Sequence, residues 1–151
     1  MSRIRLETSI AAPVERVFAL ARDIDLHQRS VAHTDERAIA GRMSGRIRPG
    51  ETVTWMARHF GRTWSLTSRI TAFEPPTMFV DEQVSGPFRS FRHEHRFQPT
   101  AGGTLMTDDW QHVAPFGALG RLADRLFLDR HMRGLLRTRN TTLRREAEAP
   151  S

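Results

Sequence analysis

The chain contains no cysteine. Disulfides, thiol nucleophiles and cysteine-ligated zinc are therefore excluded. Lysine is also absent, so all 23 basic residues are arginine. No run approaches the roughly 18 apolar residues that a membrane-spanning helix needs. The opening MSRIRLETSI has no apolar stretch long enough for a secretory signal. A cytoplasmic location is the default expectation, with no integral membrane association.

What is present is 151 residues with 38% hydrophobic and 26% charged content. That is one ordinary domain, long enough for a real core and too apolar to be disordered. The net charge of +6 raises the question of phosphate neutralisation. The arginines are spread along the chain, however, as Arg3, Arg46 and Arg92 show. The densest set includes Arg121, Arg130, Arg133, Arg137, Arg139 and Arg144, and on a long helix these mostly form a solvated face. Arginine in place of every lysine reads as a composition bias of the source genome. No nucleic-acid partner is expected.

Residues 3–10 alternate Ile4, Leu6, Thr8 and Ile10 with polar neighbours, the period of a half-buried strand. Ala11-Ala12-Pro13 starts a helix carrying Val14, Val17, Phe18 and Ala21 at helical spacing, with Pro13 in its first turn. A second short helix or turn follows over residues 24–33. Gly41, Gly45 and Gly50 then punctuate a flexible stretch. Residues 51–60 and 63–73 flank Gly61-Arg62, a pair that fits a two-residue hairpin turn. That turn pairs Ala57 with Leu66 and Trp55 with Ser68, and it turns Val53, Trp55, Ala57 and His59 to the same face as Trp64, Leu66 and Ile70. A strand over 78–84 and a turn at Ser85-Gly86-Pro87 come next. Phe79, Asp81 and Gln83 join the inner face only if that turn is a three-residue loop.

The stretch GPFRSFRHEHRF is the most informative. In a strand, Phe91, His93, His95 and Phe97 share one face, and Ser90, Arg92, Glu94 and Arg96 share the other. Two phenylalanines facing water would oppose three charged residues facing a core, so the histidines must point inward. The final strand, 104–113, allows two registers. The one that pairs Phe97 with Met106 also buries Trp110 and His112 and sets Asp108 opposite His95. After Pro115, a single helix is expected over about 117–147, with Leu119, Leu122, Ala123, Leu126 and Phe127 as an apolar face.

The order is a strand, two short helices, about six antiparallel strands and a long helix. It resembles the SRPBCC superfamily, which includes START domains, the birch-pollen allergen and bacterial polyketide cyclase/dehydrase-like proteins. The residues that carry the resemblance are Ala12-Pro13-Val14-Glu15-Arg16-Val17-Phe18, the Gly86-Pro87-Phe88 turn with His93-Glu94-His95-Arg96-Phe97, Gly103-Thr104-Leu105-Met106 and Pro115-Phe116-Gly117. The resemblance implies an α+β helix-grip fold, with a curved antiparallel sheet of about seven strands wrapped around one long C-terminal helix. One domain is expected over 1–148, with 149–151 a disordered tail. The resemblance also implies a cavity for a hydrophobic small molecule and no metal or cofactor. The glycines from Gly41 to Gly50 depart in spacing from the pollen-allergen loop, so no phosphate-binding role is carried onto them.

Three readings of the histidines follow. With Asp108 they form a possible two-histidine, one-carboxylate metal set. A histidine oriented by a carboxylate can also move protons near neutral pH, so His95 with Asp108 is a candidate catalytic pair for a cyclase, dehydratase or isomerase. The plainest reading is polar lining of a mainly apolar cavity. It is preferred here, and no metal is expected. The expected lining is Trp55, His59, Trp64, Leu66, Phe91, His93, His95, Met106, Asp108 and Trp110 around a space of about 300 Å³ or more. The ligand's identity and the oligomeric state are not encoded in any motif.

Overall fold

A computed structural model describes residues 1–123 and 127–150. The strands are β1 (Ser2–Ile10), β2 (Arg37–Gly41), β3 (Thr52–His59), β4 (Arg62–Glu74), β5 (Met78–Ser85), β6 (Ser90–Thr100) and β7 (Gly103–Val113). The helices are α1 (Val14–Ala21), α2 (Ile24–Ser30), α3 (Gly117–Ala123) and α4 (Asp129–Glu148). All seven strands form one curved antiparallel sheet in the order β1-β7-β6-β5-β4-β3-β2. This is the helix-grip arrangement, with α4 packed on β1, α1 and α2.

Alternation determines which face each strand buries. On β7 the even residues from Thr104 to His112 are buried, including Met106, Asp108 and Trp110. On β6, Phe91, His93, His95 and Phe97 are buried. Phe97 sits opposite Met106 and His95 opposite Asp108, the register expected from burying Trp110. β4 is long enough to bend, and its pairing with β5 shifts register at two places. Such bulges increase local twist and help the sheet curl.

The β3–β4 turn differs from the expected one. Its central residues are Phe60 and Gly61, because His59 pairs with Arg62, Ala57 with Trp64 and Trp55 with Leu66. Phe60 and Gly61 have φ of 54° and 71°. Positive φ at both central residues is the geometry of a tight hairpin that follows strand twist. The slip is two residues, so every side chain keeps its expected face.

Three further expectations are corrected. Residues 37–41, read as part of a flexible stretch, form edge strand β2. The helix expected over 117–147 is described as α3 and α4, with residues 124–126 between them outside the described residues. The apolar face proposed for its first half does not pack on the sheet: Leu119 is 74% exposed, Leu122 54% and Phe127 65%. Phe116 and Gly117 have φ of 69° and 55°. Gly120 and Ala123 of α3 line the interior cavity. Leu126 falls outside the described residues. Third, Arg139 is not on the solvated face, being only 5% exposed.

One end of the interior is densely packed. Phe18 from α1 meets Phe73, Phe79 and Phe97 edge to face at 5.4–5.7 Å between ring centres. Met106, Leu143 and Ala147 complete that cluster. Arg16 locks α1 to the end of α4 by donating from Nε to the Ala147 carbonyl at 2.8 Å and from Nη2 to the Glu146 carbonyl at 3.1 Å. These are carbonyls that a helix end leaves without intrahelical partners.

Candidate functional site

The other end of the interior is hollow. A cavity of about 820 Å³ lies between the sheet, α3 and the first half of α4. Trp55, Trp64 and Leu66 from the β3–β4 hairpin line one side. Phe91 and Trp110 form another, stacked 4.7 Å apart on neighbouring strands. At the mouth, His59 Nδ1 lies 2.9 Å from His131 Nε2 on α4. Burial pushes both rings below the ordinary histidine range, with the His59 ring adding to the effect on His131. No motif in the sequence announced His131.

A polar layer divides the hollow end from the packed end. His93 and His95 line the cavity with their ring centres 3.7 Å apart. His93 Nε2 donates to Asp108 Oδ1 at 2.8 Å. His95 Nε2 donates to Asp81 Oδ2 at 2.7 Å. The expected partner of His95 was Asp108, its direct neighbour across the β6–β7 ladder. Both hydrogen bonds instead run diagonally, since His93 faces Asp81 and His95 faces Asp108 in register. Strand twist brings one diagonal pair within reach of long side chains. His95 Nδ1 is 3.6 Å from Asp108 Oδ1, beyond hydrogen-bonding distance, and is buried without a partner among the described residues.

Asp108 is completely buried and lies behind the cavity wall rather than in it. Arg139 Nη2 donates to its Oδ1 at 2.6 Å, and Asn140 Nδ2 donates to its Oδ2 at 2.7 Å. Asn140 Oδ1 in turn accepts from Arg139 Nε at 3.0 Å. Burial would raise the Asp108 carboxyl, but the Arg139 guanidinium and the His93 hydrogen bond hold it well below the carboxylate range. Asp81 is likewise held low: burial opposes ionisation, and the hydrogen bond from His95 overcomes it. Burial, reinforced by His93 and Arg139 and opposed by Asp81, pushes His95 down to about 4. His95 is therefore neutral near pH 7. A neutral ring that donates from Nε2 carries its lone pair on Nδ1.

Of the ten residues expected at the cavity, eight line it: Trp55, His59, Trp64, Leu66, Phe91, His93, His95 and Trp110. Met106 does not. It lies opposite Phe97 at the packed end, where Val17 and Phe18 of α1 help fill the interior. Asp108 does not either, because α4 covers it. Phe79 and Asp81 do line the cavity, and Gln83 does not; its amide donates to the Phe88 carbonyl at 2.8 Å. Arg139 and Asn140 were missed because most other arginines on α4 are exposed. A signal was available: Leu136, Arg139, Asn140 and Leu143 recur at helical spacing and share the buried face.

Residues 1–148 match the family described as polyketide cyclase / dehydrase and lipid transport. The chain belongs to that family. The same fold occurs in a di-domain aromatase/cyclase, StfQ, from the steffimycin biosynthetic pathway. That match has a TM-score of 0.77 at 15% identity and covers 97% of this chain and 50% of that one. A Thermus thermophilus protein matches with a TM-score of 0.74 at 18% identity, over 94% of this chain and 97% of that one. The major latex-like protein of Panax ginseng matches with a TM-score of 0.68 at 14% identity, over 99% and 98%. At these identities the likeness is one of fold. No curated protein matches the sequence. Among the described residues of this polyketide cyclase/dehydrase-family chain, no helix is long and apolar enough to cross a membrane.

Proposed function

We propose that the protein binds a small hydrophobic molecule, aromatic or polyketide-like, in the cavity between sheet and helices. The observation that carries this reading is a large space with aromatic walls and a histidine–carboxylate layer, His93, His95 and Asp81, on the sheet. Apolar walls supply affinity, and a few directed polar groups supply orientation. Phe91 and Trp110 present stacked rings to a flat ligand. His93, His95 and Asp81 then anchor a carbonyl or hydroxyl at one end. The test replaces His95 with phenylalanine and titrates two ligands of similar size, a naphthol and naphthalene, by tryptophan fluorescence. The variant is expected to weaken naphthol binding about tenfold and to leave naphthalene binding within twofold. Equal weakening of both would mean that the histidine only fills space.

A second reading, acid–base catalysis of a cyclisation or dehydration, is favoured by one specific observation. Two histidines at a cavity wall are each held by a carboxylate. A carboxylate that accepts from one ring nitrogen fixes the tautomer and leaves the other nitrogen as the base. His93 is the better candidate for this role than the His95–Asp108 pair, because its Nε2 is the atom that Asp108 holds. Turnover of a polyketide-like poly-carbonyl substrate, lost in His93→Gln with ligand binding retained, would establish it. Binding without turnover leaves the first reading in place.

A further inference from the structure

We propose that Asp81, His93 and His95 form a binding site for a divalent transition-metal ion, of the zinc or iron(II) class, in the wall of the cavity. The proposal goes beyond small-molecule binding and does not depend on it.

The ligand set comes first. Each of the three residues offers one nitrogen or oxygen, and the three atoms lie within 4.8 Å of one another. His93 and His95 share a face of β6, and Asp81 sits directly across from His93 on β5. Two imidazoles and a carboxylate on a rigid sheet suit these ions and leave coordination positions open. Here the open positions would face the cavity, which all three residues line.

The surroundings supply a second, independent indication. Metal-bound histidines usually give their other ring N–H to a carboxylate or carbonyl, which orients the ring. His93 already gives Nε2–H to Asp108, and Arg139 and Asn140 fix Asp108. His95 is the anomaly. Its Nε2–H goes to Asp81, so its Nδ1 lone pair is buried without a partner among the described residues, 3.6 Å from the Asp108 carboxylate. A metal at Nε2 resolves this. The ring proton moves from Nε2 to Nδ1, which a small rotation of the ring would bring from 3.6 Å to within hydrogen-bonding reach of Asp108, and Asp81 exchanges its hydrogen bond for coordination. The ring stays neutral, and no proton leaves it.

Charge points the same way. Among the described residues, Asp81 and Asp108 place two negative charges beside the guanidinium of Arg139. A dication turns the residual single negative charge into a single positive one. An enolate, phenolate or carboxylate oxygen of a ligand in the cavity would balance it.

The test uses untagged protein purified with a chelator, since a histidine tag would mask the result. Cobalt(II) serves as a spectroscopic probe and zinc as a competitor. Wild-type protein is expected to bind one equivalent of cobalt(II) with visible d–d bands and a micromolar or lower dissociation constant, and zinc should abolish the bands. Asp81→Asn and His95→Gln are each expected to weaken binding at least tenfold, whereas His131→Gln at the cavity mouth should change it less than twofold. Wild-type protein that binds substoichiometric cobalt would overturn the proposal, whatever the variants do. So would binding that survives Asp81→Asn and His95→Gln but is lost in His131→Gln, which would place the ion at the His59–His131 pair. Far-UV circular dichroism separates lost ligation from lost folding. If a variant unfolds, the wild-type stoichiometry and the His131→Gln result decide alone.

Discussion

The two ends of the interior share one sheet and one sheet face, yet one is solid and the other hollow. At the solid end, α1 drives Phe18 into a nest of three phenylalanines, and the second half of α4 adds Leu143 and Ala147. At the hollow end no helix among the described residues covers the sheet so closely. α3 leaves Phe116 and Leu119 84% and 74% exposed at the rim, and Phe91 and Trp110 stack on each other beside open space. The side chains are no less apolar at the hollow end. What differs is whether a helix approaches near enough to fill the concave face. The His93–Asp108–Arg139 layer marks the border, and it places ionised groups where the packed end stops and the cavity begins.

The largest expected effect comes from breaking that border. Arg139→Ala leaves the Asp108 carboxylate buried with one fewer charge partner, and removing one member of such a pair costs about 3–5 kcal/mol. Urea denaturation should register that loss. A loss below about 1 kcal/mol would show that water enters the layer and that the two ends are not separated by it. Next come two identical substitutions at opposite ends. Leu143 is fully buried in the packed cluster, and Leu143→Ala should cost about 2–5 kcal/mol. Leu66 is only partly buried and lines the cavity. Leu66→Ala should therefore cost about 1 kcal/mol or less, since little packing is lost against open space. Equal losses would mean that the cavity is closed in solution.

Acid probes the border itself. His95 titrates near 4 in the fold against an ordinary value of 6.5. The fold favours the neutral ring, so between these values the unfolded chain holds the extra proton. The stabilisation is complete above about pH 6.5 and falls as the pH drops toward about 4, by about 3 kcal/mol in all. His59 and His131, also held low by burial, act in the same direction below pH 6.5. Urea midpoints measured across this range should drop with acid, and His95→Phe should flatten part of the slope. An unchanged slope in that variant would assign the acid sensitivity to the mouth instead.

Much of this could be read from the chain. Alternation in β1, β6 and β7 has a period of two, so a single phase decision fixed which side chains face inward. That decision placed His93, His95, Phe91 and Trp110 correctly on the concave face. The hairpin slip at Phe60-Gly61 did no damage for the same reason, because a two-residue shift preserves the face. Residues that act through tertiary contact were harder to read. Arg139 looked like every other arginine on its helix, and Asp81 depended on a loop length that no motif specified. Met106 shared the inward face with the cavity residues but sits under α1.

The sequence by itself determined the order of elements, the faces of the strands and the presence of two inward histidines. These are local properties, set by the backbone period and the segregation of polar from apolar side chains. Only the tertiary structure decided which carboxylate each histidine meets, that an arginine is buried behind them, and where the concave face is left empty. Those outcomes depend on strand twist and on how closely each helix approaches the sheet. Both arise from the whole molecule packing at once, and no short stretch of sequence encodes them.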